Sequence, residues 1–148
     1  MERKLRFRGR RSDNGEWVCG DVLHVAGGCL IYFGSEEAEH DIGNCSPIAV
    51  EFFKDEIAVV DRETVGQFTG LCDKNGKEIY EGDILRLGKS DCGVCEVKWN
   101  DWASAFCIRF CFESELGQKP LGIWRECERY IEVLGNMYDN SELMKRDK

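Results

Sequence analysis

The chain has 148 residues, 43% of them apolar and 32% charged, with a formal net charge of −8. This is enough apolar material for one ordinary domain or two small ones, and it excludes an intrinsically disordered chain. No apolar run approaches the eighteen or so residues of a membrane helix, and so acidic a body does not suit a broad nucleic-acid face, which needs cations to displace counterions.

The opening, MERKLRFRGRR, lacks the apolar centre of a signal peptide. The chain's nine cysteines, an odd number, read as reduced thiols and not as a disulfide framework, so a cytoplasmic protein with no membrane association is expected. The same opening carries Arg3, Lys4, Arg6, Arg8, Arg10 and Arg11 against Glu2, a local net of +5 that leaves −13 on the remainder. Two readings of this arm stand. Leu5 and Phe7 alternate with Arg6 and Arg8 as in a strand with one solvated face, the favoured reading. Alternatively Arg8, Arg10 and Arg11 grip a partner, a phosphate backbone included.

Ser12-Asp13-Asn14-Gly15 is a turn that folds the opening strand against Glu16–Val25. Ala26-Gly27-Gly28 turns the chain into Cys29–Phe33. Residues 34–47 read as an acidic loop or one helical turn, and Ile48–Phe53 and Glu56–Val60 as strands about a Lys54-Asp55 turn. Further strands are expected at Ile84–Leu87, Cys92–Trp99, Ala105–Phe112 and Ile131–Tyr138. In the third of these, Phe106, Ile108, Phe110 and Phe112 share one face. A loop with Gly117, Pro120 and Gly122 leads to Trp124, and Arg125–Tyr130 is a short helix or a strand entry. DNSELMKRDK suits a short helix capped by Asp139, Asn140 or Ser141. Short strands with glycine turns predict a mainly β protein. The cadence from Gly82 to Phe112 suggests an N-terminal β-meander, residues 1–60, packed on an SH3-like small barrel in 61–148, the two together forming one compact unit or two.

The stretch 64–84, TVGQFTGLCDKNGKEIYEGDI, has four glycines and an acidic residue beside each turn. It lacks GxxxxGK[ST] and GxGxxG, which excludes the usual phosphate loops. Asp73-Lys74-Asn75-Gly76 stops short of the calcium-loop spacing and has no distal Glu. A tight hairpin from Leu71 to Tyr80 fits better, with Asp73 capping the turn and Gly76 in the left-handed position. Glu81 and Asp83 at the next corner could share a proton or a cation; caps on backbone amides are the favoured reading.

The run from Val65 through Ile84, with Gly66, Thr69, Gly70, Asp73, Asn75, Gly76, Tyr80, Gly82 and Asp83 at its turns, resembles the signature of the YopX family. Arg3–Arg8 with Trp17-Val18-x-Gly20 is similar to that family's N-terminal hairpin. Ile131–Tyr138, including Gly135 and Asn136, with Glu142-Leu143, is similar to its closing segment. The resemblance implies a compact β-rich protein from phages, prophages or other mobile elements, and it brings no biochemical activity, cofactor or site.

No catalytic constellation emerges. The serines lie outside G-x-S-x-G, and only His24 and His40 could serve as base, with no spacing that pairs either to a cysteine. Cys92-x₂-Cys95 is half a zinc site that Cys107, Cys111 or Cys127 could complete. Alternation argues against it, placing Cys95 with Val97 and Trp99 and turning Cys107 and Cys111 away from the aromatic face. No cofactor and no metal are expected. The favoured function is therefore a non-enzymatic module that self-associates or binds a phage or host protein through exposed aromatics. Trp102, in a polar loop, is the best anchor, whereas Trp17 and Trp124 read as core. The alternative is a nucleic-acid-associated phage factor using the arginine arm.

Overall fold

The computed structural model describes residues 4–34, 56–88, 93–111, 119–122 and 130–145. The strands expected at Ile48–Phe53, the 34–47 loop beyond Gly34, the Lys54-Asp55 turn, and Phe112, Gly117, Trp124, His40, Cys45, Cys92 and Cys127 lie outside the described residues. The protein is mainly β, as its sequence predicts, and the chain divides into two compact units, Leu5–Gln67 and Phe68 onward with Lys4. The sequence reading divided the chain after residue 60; the contacts divide it within a strand. No helix among the described residues is long and apolar enough to cross a membrane.

In the first unit, β1 (Phe7–Arg10), β2 (Trp17–Val25), β3 (Gly28–Tyr32) and β4 (Ile57–Val60) form an antiparallel meander. The Ala26-Gly27 turn sets Val25 opposite Gly28 and His24 opposite Cys29, and Gly27 takes φ 95°. The sheet then returns on itself. Arg11 bridges Val60, Ser12 N donates to Val59 O at 3.0 Å, and Asp61 N donates to Arg10 O at 2.9 Å. Curling this tightly leaves little room inside. Cys29, Ile31 and Val60 fill it with Val18, Phe33 and Val65 around them. Two glycines make the curl sterically feasible. A Cβ on Gly9 would sit 3.0 Å from Val60 Cβ and 3.1 Å from Ile31 Cδ1, and one on Gly20 would sit 1.7 Å from the backbone oxygen of Tyr32.

β5 (Gly66–Cys72) pairs with β1 through Gly66 and Gln67, then with β6 (Glu78–Tyr80) from Phe68 on. In the second unit, β7 (Asp83–Leu87), β8 (Val94–Asn100), β9 (Ala105–Phe110), β10 (Lys119–Pro120) and β11 (Ile131–Asn136) form an antiparallel sheet ordered β10-β9-β8-β7-β11. These ladders do not establish the SH3-like closure expected from the sequence. Register puts Leu85, Leu87, Cys95, Val97, Ile108 and Ile131 on one face, where they bury with Leu71, Ile79 and Leu121 against Phe106, Phe110 and Val133. Each such side chain contributes about 1.5–3 kcal/mol when fully buried.

β8 is the central strand, and four successive residues, Val94 to Val97, are buried. A strand covered on both faces shows no alternation in exposure. Glu96 is buried on the second face and is paired there with Arg109, whose Nε donates to Oε1 at 2.7 Å and whose Nη2 contacts the same oxygen. Cys107 shares this face and is also buried, so its side of β9 is not a surface. The expected C-terminal helix is one 3-10 turn, Ser141–Met144. Its leading residue Asn140 makes no side-chain cap; its Oδ1 instead accepts from Asn136 N at 3.3 Å.

The glycine contacts give an ordered expectation. Gly20→Ala meets immovable backbone and should cost about 3 kcal/mol or more, whereas Gly9→Ala meets the side chains of Val60 and Ile31 at the edge of contact and should cost about 1–2 kcal/mol. Gly28→Ala enters open space and should stay within about 0.5 kcal/mol of the parent. Urea midpoints of the three variants check the ranking.

Candidate functional site

The glycine-rich stretch is built as structure. Thr69 Oγ1 donates to Ile79 O at 2.8 Å and accepts from Leu71 N at 3.2 Å, while Gly70 at φ 88° lets β5 bulge between Phe68 and Cys72. Asp73 is 6% exposed and its carboxylate is fully engaged. Oδ1 accepts from Asn75 N at 2.8 Å and Lys77 N at 3.0 Å, and Oδ2 accepts from Val133 N at 3.0 Å. Gly76 closes the turn at φ 79°. Tyr80 is buried, its ring 5.6 Å from that of Phe68 and its hydroxyl donating to Glu78 Oε2 at 2.6 Å.

At the next corner Asp83 is buried and Oδ2 accepts from Tyr80 N at 2.8 Å, the capping arrangement. Gly82, at φ 91°, donates from N to Val97 O and accepts at O from Met137 N, both at 2.8 Å. Gly135 lies under Asn140, where a Cβ would come 2.3 Å from Oδ1. Asn136 Oδ1 accepts from Tyr138 N and Asp139 N at 3.0 and 2.9 Å. Gly66 is buried opposite Arg8. Most of these hydrogen bonds are made to protein backbone.

The arginine arm is also turned inward. Arg8 is 8% exposed, with its guanidinium carbon 4.9 Å from the centre of the Trp17 ring, so this side of β1 is not a solvated face. Arg10 lies 3.8 Å from Asp61 through Nε, and its backbone N donates to Thr64 Oγ1 at 2.9 Å. Arg11 grips Asp13 with Nε and Nη2 at 2.9 and 2.8 Å, and these bonds lower the Asp13 pKa and raise that of Arg11.

One pairing was invisible to sequence spacing. Cys29 Sγ lies 3.3 Å from His24 Nδ1, because a two-residue turn places residues five apart directly across the hairpin. The turn itself was the missed signal. Cys29 is 1% exposed within the apolar core, so its thiol does not face solvent. Cys95 and Cys107 occupy opposite faces of the sheet by register and cannot ligate one ion together. Burial pushes the Cys107 thiol up, which further disfavours the thiolate a metal would need. Among the described residues no three His, Cys, Asp or Glu side chains converge as a metal site.

A different arrangement exists at the β8–β9 hairpin. Residues 101–104 form its turn, pinned by Asn100 Oδ1 accepting from Ala103 N at 2.9 Å and by Ser104 at φ 50°. Trp102 projects from it, 96% exposed. Trp99 shares the core face with Cys95 and Val97, but it ends the row and is 43% exposed. Its ring meets Phe106 edge-on at 5.1 Å, and its Nε1 donates to Asp101 Oδ1 at 3.0 Å. Beside these rings opens a groove of about 390 Å³, walled by Leu71, Trp99, Phe106, Pro120 and Leu121 with Thr69, Ser104, Ala105 and Gly122. Here the core of the second unit reaches the surface.

The sequence model described as YopX protein matches residues 7–145. The chain belongs to the YopX family. The matched span holds both the glycine-rich run and the aromatic hairpin of this YopX chain. Among solved structures it is similar to protein EF1440 from Enterococcus faecalis, in crystal form, with a TM-score of 0.54 and 22% identity over 97% of this chain and 100% of that one. At that identity the likeness concerns the fold alone. No curated protein matches the chain.

The Asp73 carboxylate predicts an acid-side loss of stability. Burial raises its pKa, but the amides of Val133, Asn75 and Lys77 and the charge of Lys77 outweigh burial and hold it below the ordinary 3.8. A depressed folded pKa means that the stabilisation is complete above 3.8 and fades as pH falls through that value toward the folded one. Asp73→Asn should cost about 2 kcal/mol at neutral pH, because one amide loses its acceptor, and the difference from the parent should shrink in acid. Denaturation curves of both proteins across the acid range measure this.

Proposed function

We propose that this YopX-family protein is a non-enzymatic module that binds another protein through the β8–β9 hairpin, and that it works in the cytoplasm of a bacterial host as a phage or prophage product. The observation that carries the reading is Trp102, 96% exposed on a turn whose backbone is fixed. An indole has only two side-chain torsions to fix on binding, and tryptophan leads the residues that dominate interface energies. Burial of its 150–250 Å² would return roughly 4–6 kcal/mol before the costs of association. The groove walled by Trp99 and Phe106, with Thr69 and Ser104 also in its lining, supplies a concave neighbour on the same hairpin.

Proline at position 120 narrows how a partner can approach. β10 lies at the edge of its sheet, and Pro120 has no N–H to offer an added strand. Side chains entering the groove fit better than strand addition. The nucleic-acid alternative draws no support from Arg8, Arg10 and Arg11, which are engaged with Trp17, Asp61 and Asp13.

The test uses the full chain and Trp102→Ala as baits in lysates of prophage-bearing bacteria, with quantitative comparison of the recovered proteins. Proteins retained by the parent and lost at least about tenfold with the variant support the reading. Equal recovery by both baits overturns it. Because Trp102 is almost fully exposed, the variant should keep the parent's urea midpoint within about 0.5 kcal/mol.

A further inference from the structure

We infer that Asn75 is a site of spontaneous covalent modification: Gly76 N attacks the Asn75 side chain, ammonia leaves, and the isoaspartate that results loosens the Asp73 clasp. Five asparagines lie among the described residues, and four have their side-chain oxygen held by a backbone amide. Asn14 Oδ1 accepts from Glu16 N at 2.9 Å and Asn100 Oδ1 from Ala103 N at 2.9 Å. Asn136 Oδ1 accepts from Tyr138 N at 3.0 Å and Asn140 Oδ1 from Asn136 N at 3.3 Å. Asn75 is exposed and hydrogen-bonds through its backbone alone. Its side-chain amide can therefore turn toward the next residue.

That residue permits ring closure. Gly76 has no side chain to crowd the attacking nitrogen, and the space beside its Cα is open. Asn14 is also followed by glycine, so the chain holds two Asn-Gly turns to compare. Gly76 N donates to Asp73 O and Gly15 N to Arg11 O, both at 3.0 Å, so each nucleophile is released only when its turn opens. The side chains separate the two. Asn14 is tethered at both ends, its Nδ2 donating to Glu16 Oε2 at 3.2 Å. Charge separates them as well, because attack requires the glycine nitrogen to lose its proton and a nearby cation favours that anion. Asp13 is paired with Arg11 and Lys74 with Glu132, which leaves Lys77 beside Gly76 and Glu16 beside Gly15.

Water is the co-reactant. Deprotonated Gly76 N bonds to Asn75 Cγ, the Cγ–Nδ2 bond breaks, and the nitrogen departs as ammonia with its proton supplied by water. A second water then opens the cyclic imide. Opening at Cγ gives aspartate. Opening at the backbone carbonyl leaves Gly76 attached through Cγ, and this isoaspartate has one more methylene in the main chain. Asp73 Oδ1 accepts from Asn75 N at 2.8 Å and from Lys77 N at 3.0 Å, and the extra methylene falls between those two amides. The new carboxylate also stands beside buried Asp73, and like charges oppose each other there. The turn loses its fit to Asp73, and the tie to Val133 N loosens with it.

The full chain is held in warm neutral buffer, folded or unfolded in urea, while peptide mapping by mass spectrometry follows each asparagine. In the folded chain Asn75 should convert ahead of Asn14 by about fivefold or more. Asp73→Asn, which frees the turn, should speed conversion at Asn75 by about tenfold and leave Asn14 at the parental rate. Anion exchange separates the modified chain by its added charge, and its folded-to-unfolded ratio in urea should fall about tenfold. Asn75 has ordinary negative φ, so Asn75→Gln, whose side chain would have to close a larger ring, should keep its urea midpoint through the same incubation. An Asn75 that trails Asn14, or that stays intact in the folded chain while the unfolded chain converts, overturns the site. A modified fraction that unfolds at the parental midpoint overturns the loosening of the clasp.

Discussion

One carboxylate holds together segments that are far apart in the chain. Asp73 takes two amides from its own turn and a third from Val133, sixty residues later. Lys74 N donates to Ile131 O at 2.9 Å beside it, so the turn between β5 and β6 is fastened to β11 at two successive points. β11 in turn pairs with β7, and β7 with β8, which carries the buried row at the centre of the sheet. A neutral side chain in that place could not accept three amides. The ionised acid is therefore a structural requirement, and its cost of burial is offset by backbone dipoles directed at it.

The same logic runs along the family stretch. Thr69, Gly70, Gly76, Gly82 and Asp83 each answer a backbone need, either an unpaired amide or a left-handed φ. Residues used that way spend their polar atoms mainly on the protein's own backbone. This explains how a run so rich in glycine and acid can identify a family while carrying no chemistry of its own. A surface with apolar side chains to offer lies at the β8–β9 hairpin, which follows no motif.

Much of the fold was legible because turns and alternation are local. Asn75-Gly76 and Asn14-Gly15 mark their hairpins, and Phe106, Ile108 and Phe110 declare one face of β9. Alternation says which side chains share a face, and it is silent on whether the other face is covered. The burial of Cys107 and Glu96 on that other face is therefore not legible in the sequence. Register-dependent contacts were out of reach as well. Arg8 meets Trp17 only on the diagonal of a strand pair, His24 meets Cys29 only across a two-residue turn, and Arg11 reaches Val60 only because the sheet curls. Trp102 could be read from sequence because its neighbours Asn100, Asp101 and Ser104 are polar; the groove beside it could not, being assembled from β5, β8, β9 and the Pro120–Gly122 segment.

The two units solve the problem of a small core differently, and the difference bears on where binding can occur. The first unit curls so tightly that Gly9 and Gly20 must lack side chains, which leaves its interior closed around Cys29, Ile31 and Val60. The second unit has a broader sheet whose buried row runs from Leu87 and Ile131 to Val97 and ends on Trp99 and Phe106. A row that ends in aromatic rings cannot be finished by backbone alone, because rings of that size extend past the last ladder bond. The sheet therefore presents part of its core as a surface, and the turn that links its two central strands places one more indole beside it. Apolar surface held rigid in water is costly to the isolated chain and is relieved by contact with something apolar. The docking surface proposed for this protein follows from how its second sheet ends.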